Sequence, residues 1–242
     1  MERSPLSNLH LQPGTVTLVG FGPGAPDLLT IRGERALRQA DIIFYDDLTN
    51  LDYLNSLAAE KVYVGKRSGR HHTEQDEING LLLDAAEQRK RVVRLKGGDP
   101  MIFAHGGEEI RYLEQHNIPV DVIPGVTTAT ALAASTKVSL TLRGVSQSVA
   151  IVNGHSSNPI VPDTDTLVYY MGGARLSEIR QRLIAQGWRE DTPVLAVHNV
   201  SLPSEQVFDT TIGQLGNETY PTPVIILVGD VAAYRHHENP HK

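Results

Sequence analysis

The chain contains no cysteine. Disulfide staples and thiolate metal ligands are excluded, so the core alone must hold the fold. Aromatic residues are scarce: eight tyrosines, four phenylalanines and one tryptophan. A surface that stacks single-stranded bases needs more of them, set in a basic groove. The charge balance points the same way, with 22 Lys and Arg against 28 Asp and Glu, a formal net charge of −6. Nucleic-acid binders carry a basic face, so no nucleic-acid partner is expected. No apolar run reaches the ~18 residues that cross a bilayer, so no membrane partner is expected either. Residues 1–12 lack an apolar core segment and a cleavage pattern. They read as a flexible leader rather than a signal peptide, and the expected compartment is the cytoplasm. No His, Asp and Glu cluster has ligand spacing, so no metal is expected. His236, His237 and His241 fall in a polar tail, 235–242, also read as flexible.

What is present is enough apolar material for a packed core, 40% of 242 residues. The length suits one large domain or two of about 110–120 residues. Short strand-like runs at 15–20, 41–45, 62–65, 91–95 and 120–123 alternate with helical patterns. The helices are predicted at 27–39, 50–59 and 108–115, with another opened by Thr73 and Asp76 as a capping box. That last helix turns Ile78, Leu82, Ala85 and Ala86 inward and leaves Gln75 and Asn79 one turn apart. Strand alternating with helix predicts an α/β fold with a parallel sheet. Pro124-Gly125 interrupts the pattern, and a helix of small residues follows at 126–135. The domain boundary is placed there, giving an N-terminal α/β domain, 13–125, and a C-terminal α/β domain, 126–234. In the second half, strands are predicted at 148–153, 166–171, 193–198 and 223–229, with a hairpin strand at 205–211. A helix at 176–186 is stopped by Gly187.

The organising stretch is Arg94-Leu95-Lys96-Gly97-Gly98-Asp99-Pro100-Met101-Ile102-Phe103. A strand that opens into a glycine turn with one carboxylate is a frequent ligand position in an α/β sheet. Asp99 suits a hydroxyl, a ribose or a positive centre; a tight turn with Asp as a cap reads equally well. Gly20-Phe21-Gly22-Pro23-Gly24 begins like a dinucleotide fingerprint, but its third glycine falls at the wrong spacing. Pro23 and Pro26 remove backbone donors, so the loop looks built for shape rather than phosphate. Asp46 ends the second strand, where a carboxylate is placed either for chemistry or to cap a turn. Lys61, Lys66, Arg67, Arg70, His71 and His72 form a basic run without an acid. It reads either as a solvated loop or as a dock for a polyanionic small molecule.

These blocks occur in order with Gly65-Lys66-Arg67, Gly106-Gly107-Glu108-Glu109, Pro124-Gly125-Val126-Thr127 and Tyr170-Met171-Gly172. Together they resemble the tetrapyrrole methylase family, over about residues 14–230. The resemblance implies two α/β domains with an active-site cleft between them, and a homodimer. It implies transfer of methyl groups from S-adenosylmethionine, releasing S-adenosylhomocysteine. The implied substrate is uroporphyrinogen III, methylated at C2 and C7 to precorrin-2, the entry to sirohaem, cobalamin and haem d1. Carried over residue by residue, Pro23, Gly97, Gly98, Asp99, Ile102, Thr127, Thr128, Met171 and Val200 would contact the cofactor. Asp46 would accept a proton and Lys66 donate one. Arg67, Arg70 and Arg143 would hold the carboxylates of the tetrapyrrole. The chain departs from the family pattern at Ala25, His105, Leu142 and Val200. Those departures keep two alternatives open: a methyltransferase acting on a later precorrin, and a degenerate tetrapyrrole-binding protein.

Overall fold

In a computed structural model, the structure describes residues 10–47, 49–65, 75–156 and 161–235. The chain divides into two compact units, Met1–Thr127 and Thr128–Lys242.

The first unit is built on five strands: β1 (Thr15–Gly22), β2 (Ile42–Tyr45), β3 (Glu60–Tyr63), β4 (Arg91–Gly97) and β5 (Val120–Ile123). They lie in the order β3-β2-β4-β1-β5, and every pairing is parallel. The helices are α1 (Ile31–Gln39), α2 (Leu51–Asn55), α3 (Gln75–Glu87) and α4 (Gly106–Gln115). Strand alternation sorts side chains onto two faces. Val19, Phe21, Val93 and Leu95 pack with Ala36 and Leu37 of α1 and Leu54 of α2. Val16, Leu18 and Val92 pack with Ile78, Leu82, Ala85 and Ala86 of α3 and Leu113 of α4. The inward face of α3 is the one its periodicity predicts. Arg94 and Lys96 share the parity of Val92, so β4 delivers two cations to the face covered by α3 and α4.

Several boundaries differ from expectation: the helix expected over 50–59 spans only Leu51–Asn55, and two further shifts have a local cause. The helix predicted from residue 27 begins at Ile31, because the Thr30 side chain caps it by accepting from Gly33 N. Residues 26–28 form a separate 3-10 turn. The third strand spans 60–63 rather than 62–65, because Ile42 pairs with Glu60 and Phe44 with Val62.

Asp41 ties the starts of β2 and β4 together. Its carboxylate accepts from Arg91 Nε at 3.0 Å, Arg91 Nη2 at 2.5 Å and Arg91 N at 2.7 Å. These bonds hold its carboxyl down at about 2, from an ordinary 3.8. The stabilisation is complete above the ordinary value and is lost as pH falls through about 2. Both partners are more than a third exposed, so screening keeps the effect small. Asp41→Asn is expected to lower the melting temperature by no more than about 3 °C at neutral pH. Thermal melts between pH 4 and pH 2 should show the gap to the parent protein closing.

The second unit has a mixed sheet, ordered β6-β7-β10-β8-β9. Its strands are β6 (Val149–Asn153), β7 (Thr166–Tyr170), β8 (Pro193–His198), β9 (Gln206–Thr211) and β10 (Val224–Val228). β6 runs parallel to β7, and the remaining pairs are antiparallel. Every residue of β10 is buried, as befits the central strand. α5 (Thr128–Thr136) opens the unit, and α6 (Leu176–Ala185) buries Leu176, Ile179 and Leu183 in its core. Gly187, at φ +86°, ends α6 with Trp188 N donating to Leu183 O at 3.1 Å. This is the glycine stop read from the sequence.

Candidate active site

The strand order places a crevice before any side chain is considered. From β1 the chain crosses towards β2, whereas from β4 it crosses to the other side, towards β5. The carboxyl ends of β1 and β4 therefore flank a topological switch point, the usual ligand position in an open parallel sheet. The two glycine motifs sit there. Gly22 N donates to Gly98 O at 3.1 Å, and Gly98 N returns a bond to Gly22 O at 2.7 Å. Gly98 has φ +65°, a conformation that favours glycine. A third strand end closes on the pair: a Cβ on Gly125 would lie 2.1 Å from Gly98 O, and one on Gly20 2.5 Å from Gly125 N.

Asp99 fastens this junction. Its Oδ1 accepts from Met101 N at 2.8 Å and its Oδ2 from Gly125 N at 3.0 Å. Oδ1 thus makes the local turn bond that the sequence left open, while Oδ2 ties the turn to a strand end 26 residues further on. Ile102 follows on the same turn, its N donating to Asp99 O at 3.3 Å. Beside it Met101 and Phe103 expose large apolar surfaces, 53% and 42%. A turn of backbone polar groups edged by uncovered apolar side chains fits a nucleoside-like ligand. Pro23, Gly97, Gly98, Asp99 and Ile102 thus converge at adjoining strand ends.

Asp46 lies just past the end of β2, next to β4. Its Oδ2 receives Arg94 Nη2 at 3.4 Å, and its side chain is 26% exposed. Arg94 also donates through Nη1 to Leu95 O at 2.8 Å and Phe44 O at 3.5 Å. Lys96 is buried and donates to Ala104 O at 2.6 Å and Glu109 Oε1 at 2.8 Å. Burial, and then the Arg94 cation, pull the Lys96 ammonium below its ordinary range, while Glu109 and Asp46 pull it back up. Glu109 escaped the sequence reading as a functional group. Its signal was the four-residue step to Leu113, which puts both on the buried face of α4.

The other candidates lie elsewhere or outside the described residues. Lys66, Arg67 and Arg70 are among the latter, as is Thr73 of the expected capping box. Thr127 closes the first unit and Thr128 opens α5. In the second unit, Met171 follows β7 at φ +56° and is 49% exposed. The adjoining Tyr170 hydroxyl accepts Ala129 N at 2.8 Å, joining the end of β7 to the start of α5. Val200 follows β8 with its side chain buried. Arg143 is exposed in a turn closed by paired bonds between Leu142 and Ser146. Of the departures, Ala25 precedes the 3-10 turn, and Asp27 within that turn is exposed. His105, at φ +57°, precedes α4 with Nδ1 3.1 Å from Glu108 Oε1.

The "Siroheme synthase 2" of Yersinia enterocolitica is 42% identical over 233 residues, covering 92% of this chain and 49% of that protein. The chain therefore spans about half the length of the curated relatives it matches. The uroporphyrin-III C-methyl transferase of Thermus thermophilus, solved with S-adenyl homocysteine, superposes with a TM-score of 0.79 at 38% identity. That match covers 90% of this chain and 99% of the other. A cobalt precorrin-4 methyltransferase superposes with a TM-score of 0.77 at 28% identity, covering 90% and 96%. The family model of the Tetrapyrrole (Corrin/Porphyrin) Methylases matches residues 15–216, from the first residue of β1 past the end of β9. With that match spanning the first sheet, the glycine junction and four strands of the second sheet, the chain belongs to the tetrapyrrole methylases.

Proposed function

We propose that this protein transfers methyl groups from S-adenosylmethionine to C2 and C7 of uroporphyrinogen III, giving precorrin-2. The observation that carries the reading is the likeness to the Thermus thermophilus uroporphyrin-III C-methyl transferase solved with S-adenyl homocysteine. The glycine junction supports it: backbone groups at Gly97 and Gly98 and the apolar rim of Met101, Ile102 and Phe103 suit a nucleoside. Pro23 and Asp99 complete the cofactor site in the first unit. Thr127, Thr128, Met171 and Val200 are the further cofactor contacts that the family resemblance implies.

S-adenosylmethionine supplies a methyl on a sulfonium, already activated for attack by a nucleophilic ring carbon. The protein therefore needs no covalent intermediate. Its task is to hold the reacting atoms in line, which supplies up to about 7–11 kcal/mol of the barrier. Methylation leaves positive charge on the ring system, and a proton then has to leave. Asp46 accepts that proton and stabilises the cation before it goes. Lys66 donates a proton. Arg67, Arg70 and Arg143 pair with the carboxylates of the substrate. The working protein is a cytoplasmic homodimer.

A second reading keeps the chemistry and changes the acceptor to a later precorrin. The nearly equal fit to a cobalt precorrin-4 methyltransferase favours keeping it, since the fold alone does not choose the ring. One experiment separates the two. Anaerobic incubation with S-adenosylmethionine and uroporphyrinogen III, followed by product mass, is expected to show a gain of two methyl groups. S-adenosylhomocysteine should appear in proportion. No gain, with S-adenosylmethionine still bound in calorimetry, selects the later precorrin. Tetrapyrrole binding without cofactor binding selects a degenerate carrier, with Ala25 and Val200 the first positions to revert.

A further inference from the structure

Glu109 sits in the first turn of α4 with its side chain fully buried. One oxygen does all its bonding. Oε1 accepts from Lys96 Nζ at 2.8 Å, Gln75 Nε2 at 3.2 Å and Arg94 Nε at 3.3 Å. Oε2 has no hydrogen-bond partner among the described residues. Each cation that meets Glu109 also reaches a different part of the candidate site. Lys96 holds the Ala104 carbonyl, two residues beyond Ile102. Arg94 holds the Phe44 carbonyl and the Asp46 carboxylate. The side chains of Arg94 and Lys96 are only 5% and 3% exposed. Two buried cations against one buried carboxylate leave a positive excess, which a second carboxylate, Asp46, offsets.

Such a cluster is a poor way to fill a core. Apolar side chains of similar volume commonly serve stability as well or better. What ion pairs do better is fix direction, because a guanidinium fork and a short ammonium bond tolerate little rotation. Here the directions lead to Asp46 on one side and to the turn carrying Ile102 on the other. We propose that Glu109 is a positioning residue that sets the Asp46 carboxylate, through Arg94, and the cofactor-side turn, through Lys96, in one arrangement. The proposal rests on the methyl-transfer reading above.

Glu109→Gln isolates the charge. An amide oxygen in the place of Oε1 still accepts all three bonds, and the amide nitrogen replaces the oxygen that has no partner. The charged groups acting on Lys96 are Arg94, Glu109 and Asp46. Without the Glu109 charge, which pulls the Lys96 ammonium up, that ammonium falls further below its ordinary range. The bonds from Lys96 and Arg94 lose their charge assistance and hold direction less firmly, and the looser placement of Asp46 and the turn is expected to lower kcat by about 100-fold. The basic limb of the kcat profile should move to lower pH, and Glu109→Asp should regain part of the rate.

The measurement is methyl transfer across pH by parent, Glu109→Gln and Glu109→Asp, with a thermal melt of each. A folded Glu109→Gln with kcat within about twofold of the parent and a superimposable pH profile overturns the proposal. So does a rate that falls only in proportion to the folded fraction. If Glu109→Gln does not fold, Arg94→Lys takes its place, keeping the charge beside Glu109 but losing the fork that reaches Asp46. A lowered kcat with an unchanged melt then supports the proposal, and an unchanged kcat overturns it. If the parent methylates no tetrapyrrole, the reading beneath has failed and the positioning role falls with it. That failure is distinct from an active parent with an equally active variant.

Discussion

Replacing Gly125 by alanine is expected to abolish cofactor binding and to lower the melting temperature by roughly 5 to 10 °C. The added Cβ would stand 2.1 Å from Gly98 O and 2.8 Å from Gly20 Cα. Both are backbone atoms of neighbouring strand ends, so no flexible side chain can turn aside. The atom displaced is the carbonyl oxygen of Gly98, which itself accepts from Gly22 N at 3.1 Å. Gly125 N is itself held by Asp99 Oδ2 at 3.0 Å, so moving residue 125 pulls on the carboxylate that shapes the turn. Gly80→Ala is the matched control. Gly80 lies inside α3, and a Cβ there meets nothing within 4 Å. That change is expected to stabilise the protein by about 0.5–1 kcal/mol and to leave binding unaltered. Differential scanning calorimetry with titration of S-adenosylhomocysteine reads both variants. Parent-like binding by Gly125→Ala would show that the close approach of the three strand ends does not shape the cofactor turn.

Features governed by short-range rules were legible in the chain. Ile78, Leu82, Ala85 and Ala86 recur at helical spacing, and one face of α3 buries all four. Gly187 stops α6 because the left-handed conformation suits a residue without a side chain. The glycine junction was legible as two motifs but not as one object. Its third member, Gly125, comes from a strand end 26 residues beyond Asp99 and joins only through the sheet order β4-β1-β5. The start of α1 was misread because Thr30 caps the helix while Asp27, the more acidic signal, belongs to a separate turn.

The charged cluster was the least legible. A glutamate in the first turn of a helix ordinarily faces water, where it favours the helix dipole. Glu108 does face water, whereas Glu109, one residue later, is rotated onto the Leu113 face and buried. The clue lay on the partner strand. Arg94 and Lys96 interrupt an apolar run at the same parity, and two cations on a covered face require an anion from the element that covers them. Locating that anion needed the packing of α4 on β4.

The second large effect belongs to Asp46. Asp46→Ala is expected to lower kcat by about 100- to 10,000-fold and to leave S-adenosylmethionine affinity within about threefold of the parent. The separation follows from position. Asp46 lies just past the end of β2, whereas the turn proposed to hold the cofactor hangs from β4 and is fastened by Asp99, Gly22 and Gly125. Removing one carboxylate from β2 leaves those bonds in place. Asp46→Asn divides the effect further. Its amide oxygen can still accept from Arg94 Nη2, so the geometry persists while proton acceptance is lost. If Asp46 acts as the acceptor, Asn and Ala are equally slow. If it serves mainly to anchor Arg94, Asn recovers most of the rate. Single-turnover methyl transfer together with calorimetric binding measures both quantities on one sample. A loss of cofactor affinity as large as the loss of rate would move Asp46 from the chemistry to the cofactor site.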